Sequence, residues 1–136
     1  MGRRTARVPA VVLALALLAA TGCSNRESAQ ARAPRDTGSG TAAAAADGVQ
    51  EIMVSGSEQL RFTPSTIEAH AGVLRIILVN TGTTPHDLQL TGTGQSTGLI
   101  RGGEQGRITV TLTHGRYPFE CTLHTRVHMA GTIIVS

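Results

Sequence analysis

Three features of the sequence predict an all-β sandwich or barrel over residues 48–136. Ile108, Val110 and Leu112 alternate with Arg107, Thr109, Thr111 and Thr113, the period-two pattern of a half-buried strand. Residues 73–79 (VLRIILV) form an apolar run broken only by Arg75, suited to a central strand. Turn signals separate the apolar segments at residues 80–85, 92–94, 102–103 and 114–115, and no segment of the domain sustains a helical period.

Composition narrows the function before any motif is read. A chain of 136 residues holds one domain of ordinary size. Its net charge of +3 comes from twelve Arg, with no Lys, against nine acidic residues. Arg3, Arg4 and Arg7 lie ahead of Cys23, which leaves nine Arg against nine acids in the rest. The only aromatics are Phe62, Tyr117 and Phe119. A balanced chain this poor in aromatics has neither the basic patch nor the stacking platform of a nucleic-acid binder.

In chain order, residues 1–22 read as a secretory signal peptide. Arg3, Arg4 and Arg7 form the positive segment, and residues 8–20 are a 13-residue apolar stretch. At 1.5 Å per residue that stretch rises about 20 Å, too short to span a bilayer. Ala20-Thr21-Gly22-Cys23 follows, small residues ending in Cys. This is similar to the lipobox of bacterial lipoproteins, which implies lipidation of Cys23; Ala20 stands where Leu is usual. An ordinary cleavage site followed by a chance Cys is the alternative, and Arg3-Arg4 leaves Sec and twin-Arg export both open. Residues 23–47, rich in Ser, Ala, Gly, Arg and Thr, read as a flexible linker spanning roughly 25–30 Å.

Strands follow. Leu88 and Leu90 alternate with Asp87, Gln89 and Thr91; Tyr117, Phe119 and Cys121 share one face; Ile133, Ile134 and Val135 close the chain. Met53 is expected in the core. The six glycines of residues 92–106 have no phosphate-loop spacing and read as loops.

Chemistry concentrates in Cys121-Thr122-Leu123-His124-Thr125-Arg126-Val127-His128-Met129. A thiolate, an imidazole and a thioether within nine residues are the soft and borderline donors that suit copper. A fourth donor is expected from a distant strand. His86 shares parity with Leu88 and Leu90, so its ring points to the core where a strand begins. Cys121 points inward where another ends. If Cys23 carries lipid, Cys121 has no disulfide partner, and a lone thiol in an exported protein calls for burial or a task. His70 and His114 flank glycine turns and read as solvated. His128 competes with Met129 for the last position.

These residues resemble the cupredoxins, the plastocyanin-like blue copper proteins. The resemblance runs over residues 49–136 and rests on Phe62-Thr63-Pro64, Ala71-Gly72, Asn80 through Pro85-His86, and Cys121-x2-His124-x4-Met129. It implies a Greek-key β-sandwich with one type 1 copper, held by His86, Cys121 and His124 with Met129 as weak axial ligand. It also implies one-electron transfer rather than catalysis. Two positions depart from the family: Leu123 replaces a common Pro, and Asp87 replaces a common Asn. The family geometry predicts that Asp87 ties to Thr122. The expected partners are redox proteins and, through Cys23, the outer face of the cell membrane; nucleic acid is excluded and a monomer is expected. A copper carrier or storage protein is the alternative, ahead of a catalytic role as in multicopper oxidases or nitrite reductases, or a metal-free adhesion sandwich.

Overall fold

The computed structural model describes residues 36–136. The expected signal peptide, the lipidation site Cys23 and linker residues 24–35 lie outside the described residues. Ten strands and one short helical turn follow one another: β1 (Ser39–Thr41), β2 (Ala43–Ala44), β3 (Gln50–Gly56), β4 (Phe62–Thr63), β5 (Thr66–Ala69), β6 (Gly72–Asn80), β7 (Gln89–Leu90), β8 (Gln105–Leu112), β9 (Gly115–Glu120), a 3₁₀ turn (Thr122–Val127) and β10 (Ala130–Val135). They form two sheets. One has the order β1-β5-β10-β9-β7; the other has the order β2-β3-β6-β8, with β4 added to β3. No helix among the described residues is long and apolar enough to cross a membrane.

Pattern explains placement. Along β6 Leu74, Ile76 and Leu78 are fully buried, while Val73, Arg75 and Ile77 face outward. Each inward side chain contributes about 1.5–3 kcal/mol by leaving water. The β8 alternation holds, with Ile108, Val110 and Leu112 inside. β6 is central, parallel to β3 and antiparallel to β8. Ile67, Phe119 and Ile133 fill the core from the opposite sheet. Phe62 meets Phe119 edge to face at 5.3 Å between ring centroids, a favoured aromatic geometry.

Three expectations are corrected. Residues 39–44 are not linker: β1 pairs in parallel with β5, and β2 pairs with β3. Small residues are needed there because the strand lies tight against its neighbours. A Cβ on Gly40 would stand 2.8 Å from Pro64 Cγ. Met53 is not core but 61% exposed, because its parity on β3 is opposite to that of Ile52 and Val54. The stretch from His86 to Leu90 is not a continuous strand. His86 forms an isolated bridge with Ile100, and only Gln89–Leu90 joins the sheet.

The topology gathers several chain ends at one end of the sandwich. β3 arrives there at Gly56 and, in parallel register, β6 arrives at Asn80. β9 arrives at Glu120, opposite Ala130, where β10 departs.

Candidate metal centre

Three elements deliver one donor each to that end. Cys121 follows the last residue of β9 and is fully buried as a free thiol. The 3₁₀ turn then folds the chain back, its first bond running from the His124 N–H to the Cys121 carbonyl at 3.1 Å. His86 comes from the β6–β7 connection, fixed by two backbone bonds to Ile100 of 3.0 and 2.7 Å. The Cys121 Sγ lies 3.3 Å from His124 Nδ1 and 4.0 Å from His86 Nδ1. The three donor atoms all fall within 4.8 Å of one another, the one such group among the described residues. That spacing suits donors sharing a single ion with bonds of about 2.0–2.3 Å. The two imidazoles meet edge to face, 5.1 Å between centroids.

Met129 is buried beside them. Its carbonyl accepts the Cys121 N–H at 2.9 Å, and its N–H reaches the His124 carbonyl at 3.3 Å. The loop from Cys121 to Met129 is therefore closed on itself by backbone bonds. His128, the competitor, caps the turn in the left-handed conformation (φ 55°) and is not part of the donor group.

Hydrogen bonds fix how the donors present themselves. His86 Nε2 is 3.0 Å from the Ser57 carbonyl. A carbonyl oxygen only accepts, so the ring proton sits on Nε2 and the Nδ1 lone pair is free. Burial, and then the neighbouring His124, push the His86 pKa down, which favours the neutral ring a metal requires. Burial pushes the Cys121 thiol up, so metal binding there must displace a proton. Asp87, itself buried, accepts from the Thr122 N–H at 2.7 Å and the Thr122 hydroxyl at 2.6 Å. The expected Asp87–Thr122 tie is thus present, and it is double.

Two contributors, Gly56 and Ser57, had no clear signal in the sequence, while Asn80 was part of the family pattern. Gly56 lets the β3 backbone lie against His86, whose Cδ2 would stand 3.0 Å from an added Cβ. Ser57 offers only its carbonyl, which no residue preference reveals. Asn80, buried at the end of β6, pins its own loop: Nδ2 donates to the Thr84 and Ile100 carbonyls at 2.8 and 3.0 Å, and Oδ1 accepts from the Gly82 N–H at 2.9 Å. His70 and His114 are exposed and lie outside the donor group. Around the half-buried His124, Leu123 (55%) and Val127 (46%) are exposed.

One thiol and two imidazoles within 4.8 Å of one another, with Met129 buried in the adjoining loop, form a candidate soft-donor metal centre at the end of a β-sandwich. The sequence profile of the cupredoxin-like domain matches residues 11–135, and the chain belongs to that family. No curated protein matches it by sequence. Among solved structures it is similar to dithionite-reduced auracyanin from the photosynthetic bacterium Roseiflexus castenholzii, at 18% identity, covering 63% of this chain and 96% of that one with a TM-score of 0.57. Auracyanin A, a "blue" copper protein from Chloroflexus aurantiacus, aligns at 18% identity over 73% of this chain and 100% of its own, TM-score 0.57. The Cu(I)-bound metal-binding domain of the Cu(I)-exporting P-type ATPase CopA of Streptococcus pneumoniae aligns at 19% identity over 74% and 97%, TM-score 0.62. At these identities the likenesses establish the fold, a cupredoxin sandwich.

Proposed function

We propose that this protein is a mononuclear type 1 copper protein that carries single electrons between redox partners outside the cytoplasm, held at the outer face of the cell membrane by lipid on Cys23. The observation that carries the reading is the convergence of His86 Nδ1, Cys121 Sγ and His124 Nδ1 on one buried point beside Met129. Copper bound there supplies a Cu(I)/Cu(II) one-electron couple. The protein's part is to hold the donors. Ser57 fixes the His86 tautomer, Asp87 locks the chain just after Cys121, and the closed 121–129 loop keeps His124 and Met129 in place. Donors held by independent bonds need little rearrangement when charge changes, which suits electron transfer. The half-buried His124, flanked by exposed Leu123 and Val127, offers the route to a partner.

The lipid anchor rests on the sequence around Cys23. The described chain begins with Asp36 and Thr37 bonded to Ser65 of the β4–β5 turn. The Ser65 carbonyl accepts from Thr132, three residues beyond Met129. A tether from Cys23 would therefore join the domain toward its metal-bearing end.

Repeated oxidation and reduction of the copper-loaded protein, followed by metal analysis after gel filtration, tests the reading. Full retention of copper with reversible cycling is expected. Loss of copper on each reduction would favour the carrier alternative, toward which the similarity to the CopA domain also points. For the anchor, labelled fatty acid is expected in wild type and absent in Cys23→Ala; equal labelling would remove it.

A further inference from the structure

The donor group is gripped from outside by a residue that touches none of the donors. Glu58 sits in the β3–β4 turn and is exposed. Its Oε2 accepts from the Thr83 N–H at 2.7 Å, the Thr84 N–H at 3.1 Å and the Thr83 hydroxyl at 3.2 Å. Its Oε1 accepts from the Thr84 hydroxyl at 2.6 Å. One carboxylate therefore binds four donors of the loop that leads, through Pro85, into His86. The neighbouring residue, Ser57, holds His86 Nε2 through its carbonyl. The two turns also lie too close for a larger residue: a Cβ on Gly82 would stand 2.8 Å from the Glu58 nitrogen.

We propose that Glu58 is a positioning residue for His86, clamping the 82–84 loop to the β3–β4 turn so that the Ser57 carbonyl and the His86 ring stay aligned and Nδ1 stays aimed at Cys121. This rests on the copper reading only for its consequence, not for its geometry. Two backbone segments must keep one spacing for the Ser57–His86 bond to persist. Asn80 fixes the loop to Ile100 on its inner side. On the outer side, Thr81 donates its N–H and hydroxyl to the Gly56 carbonyl at the end of β3, and Glu58 adds four bonds to Thr83 and Thr84, nearest His86. Four bonds to one ionised carboxylate are strong for an exposed residue, because each is charge-assisted. They hold the Glu58 carboxyl down at about 2, so the clamp is closed at neutral pH. A glutamate placed only to stabilise a turn would have no reason to reach the loop that carries a ligand.

The test reads the His86 ring directly, before any metal is added. In the metal-free protein, heteronuclear NMR at neutral pH should show His86 protonated at Nε2, with that ring proton protected from exchange. Glu58→Ala should speed its exchange about tenfold and mix the two ring tautomers, while the backbone spectrum elsewhere stays folded. Glu58→Gln, which keeps the size but removes the charge and turns one of the two accepting oxygens into a donor group, should fall between. The copper-loaded variants should also lose affinity for copper about tenfold, the low end for outer-shell partners of a metal ligand. Arg75→Gln, which breaks ion pairs on the outer face of the β3/β6 sheet, serves as the control for general loosening. Unchanged His86 exchange in both Glu58 variants would overturn the proposal. So would an equal change in Arg75→Gln. If the copper assignment alone were wrong, the NMR effect would persist while the affinity effect vanished.

Discussion

At the metal-bearing end of the sandwich, polar side chains pin loops that carry or adjoin a donor; on the far side of the molecule they make exposed bonds and ion pairs remote from any donor. Asn80, Asp87 and Glu58 each bond main-chain groups of a loop that carries or adjoins a donor. Elsewhere, Arg75 pairs with Asp47 at 2.6 Å and Glu51 at 2.9 Å, with all three side chains partly in water. Gln50 meets the main chain of His70, and His70 Nδ1 faces the Ser136 hydroxyl, all exposed. The contrast shows where precision is needed. A side chain bonded to backbone fixes a loop, and a fixed loop fixes a donor. Paired exposed charges fix little, because water competes for both partners.

The largest expected effect comes from removing a donor. His86→Ala should lower copper affinity more than about 100-fold, beyond what outer-shell changes cause, and added imidazole should restore part of it in a titration followed by absorbance. Next comes a backbone grip. Asp87→Ala removes two hydrogen bonds to a carboxylate that is only 8% exposed, worth about 2–3 kcal/mol together. The melting temperature of the metal-free protein should fall by roughly 10–20 °C. Asp87→Asn keeps one acceptor, so it should melt between the two, retain copper and show a raised reduction potential from the loss of negative charge.

Acid should distinguish the two regions by a smaller amount. Glu58 has its carboxyl held at about 2, first by the Thr84 hydroxyl and then by the Thr83 and Thr84 amides, against an ordinary value of 4.5. Its folded pKa is depressed, so its contribution is complete above about 4.5 and disappears as pH falls toward about 2. Denaturation curves between these limits should flatten in Glu58→Gln relative to wild type. The smallest effect is expected at Arg75. Asp47 is also held low, chiefly by its bond to Arg75, yet the pair is exposed and screened. Arg75→Gln should leave the copper spectrum unchanged and move the melting temperature by no more than a few degrees, with the difference vanishing in high salt.

The sequence exposes some of this and hides the rest for physical reasons. The alternation at residues 107–113 is β8, and the run at residues 73–79 lies within β6, because burial on one face imposes a period of two. The loop from Cys121 to Met129 is legible because its donors are local; His86 is buried as expected, but an isolated bridge to Ile100 rather than strand parity holds it there. Residues 39–44 are not legible as strands: tight packing selects Gly and Ala, which is also the composition of a linker. The 3₁₀ turn spans six residues, too few to show a period. Gly56, Ser57 and Glu58 are hidden because they act on residues 25–30 positions away, two of them through backbone. No local pattern encodes such a pairing.

The central claim is that Cys121, with His86, His124 and Met129, forms one type 1 copper site. Addition of Cu(II) to the purified wild-type protein, followed by visible absorption, tests it most directly. Thiolate-to-Cu(II) charge transfer should develop an intense blue band that saturates at one copper per chain. Cys121→Ser should bind more weakly and stay without that band, because a hydroxyl cannot supply the thiolate transition. A colourless wild type, or a Cys121→Ser variant that turns blue, would contradict the account.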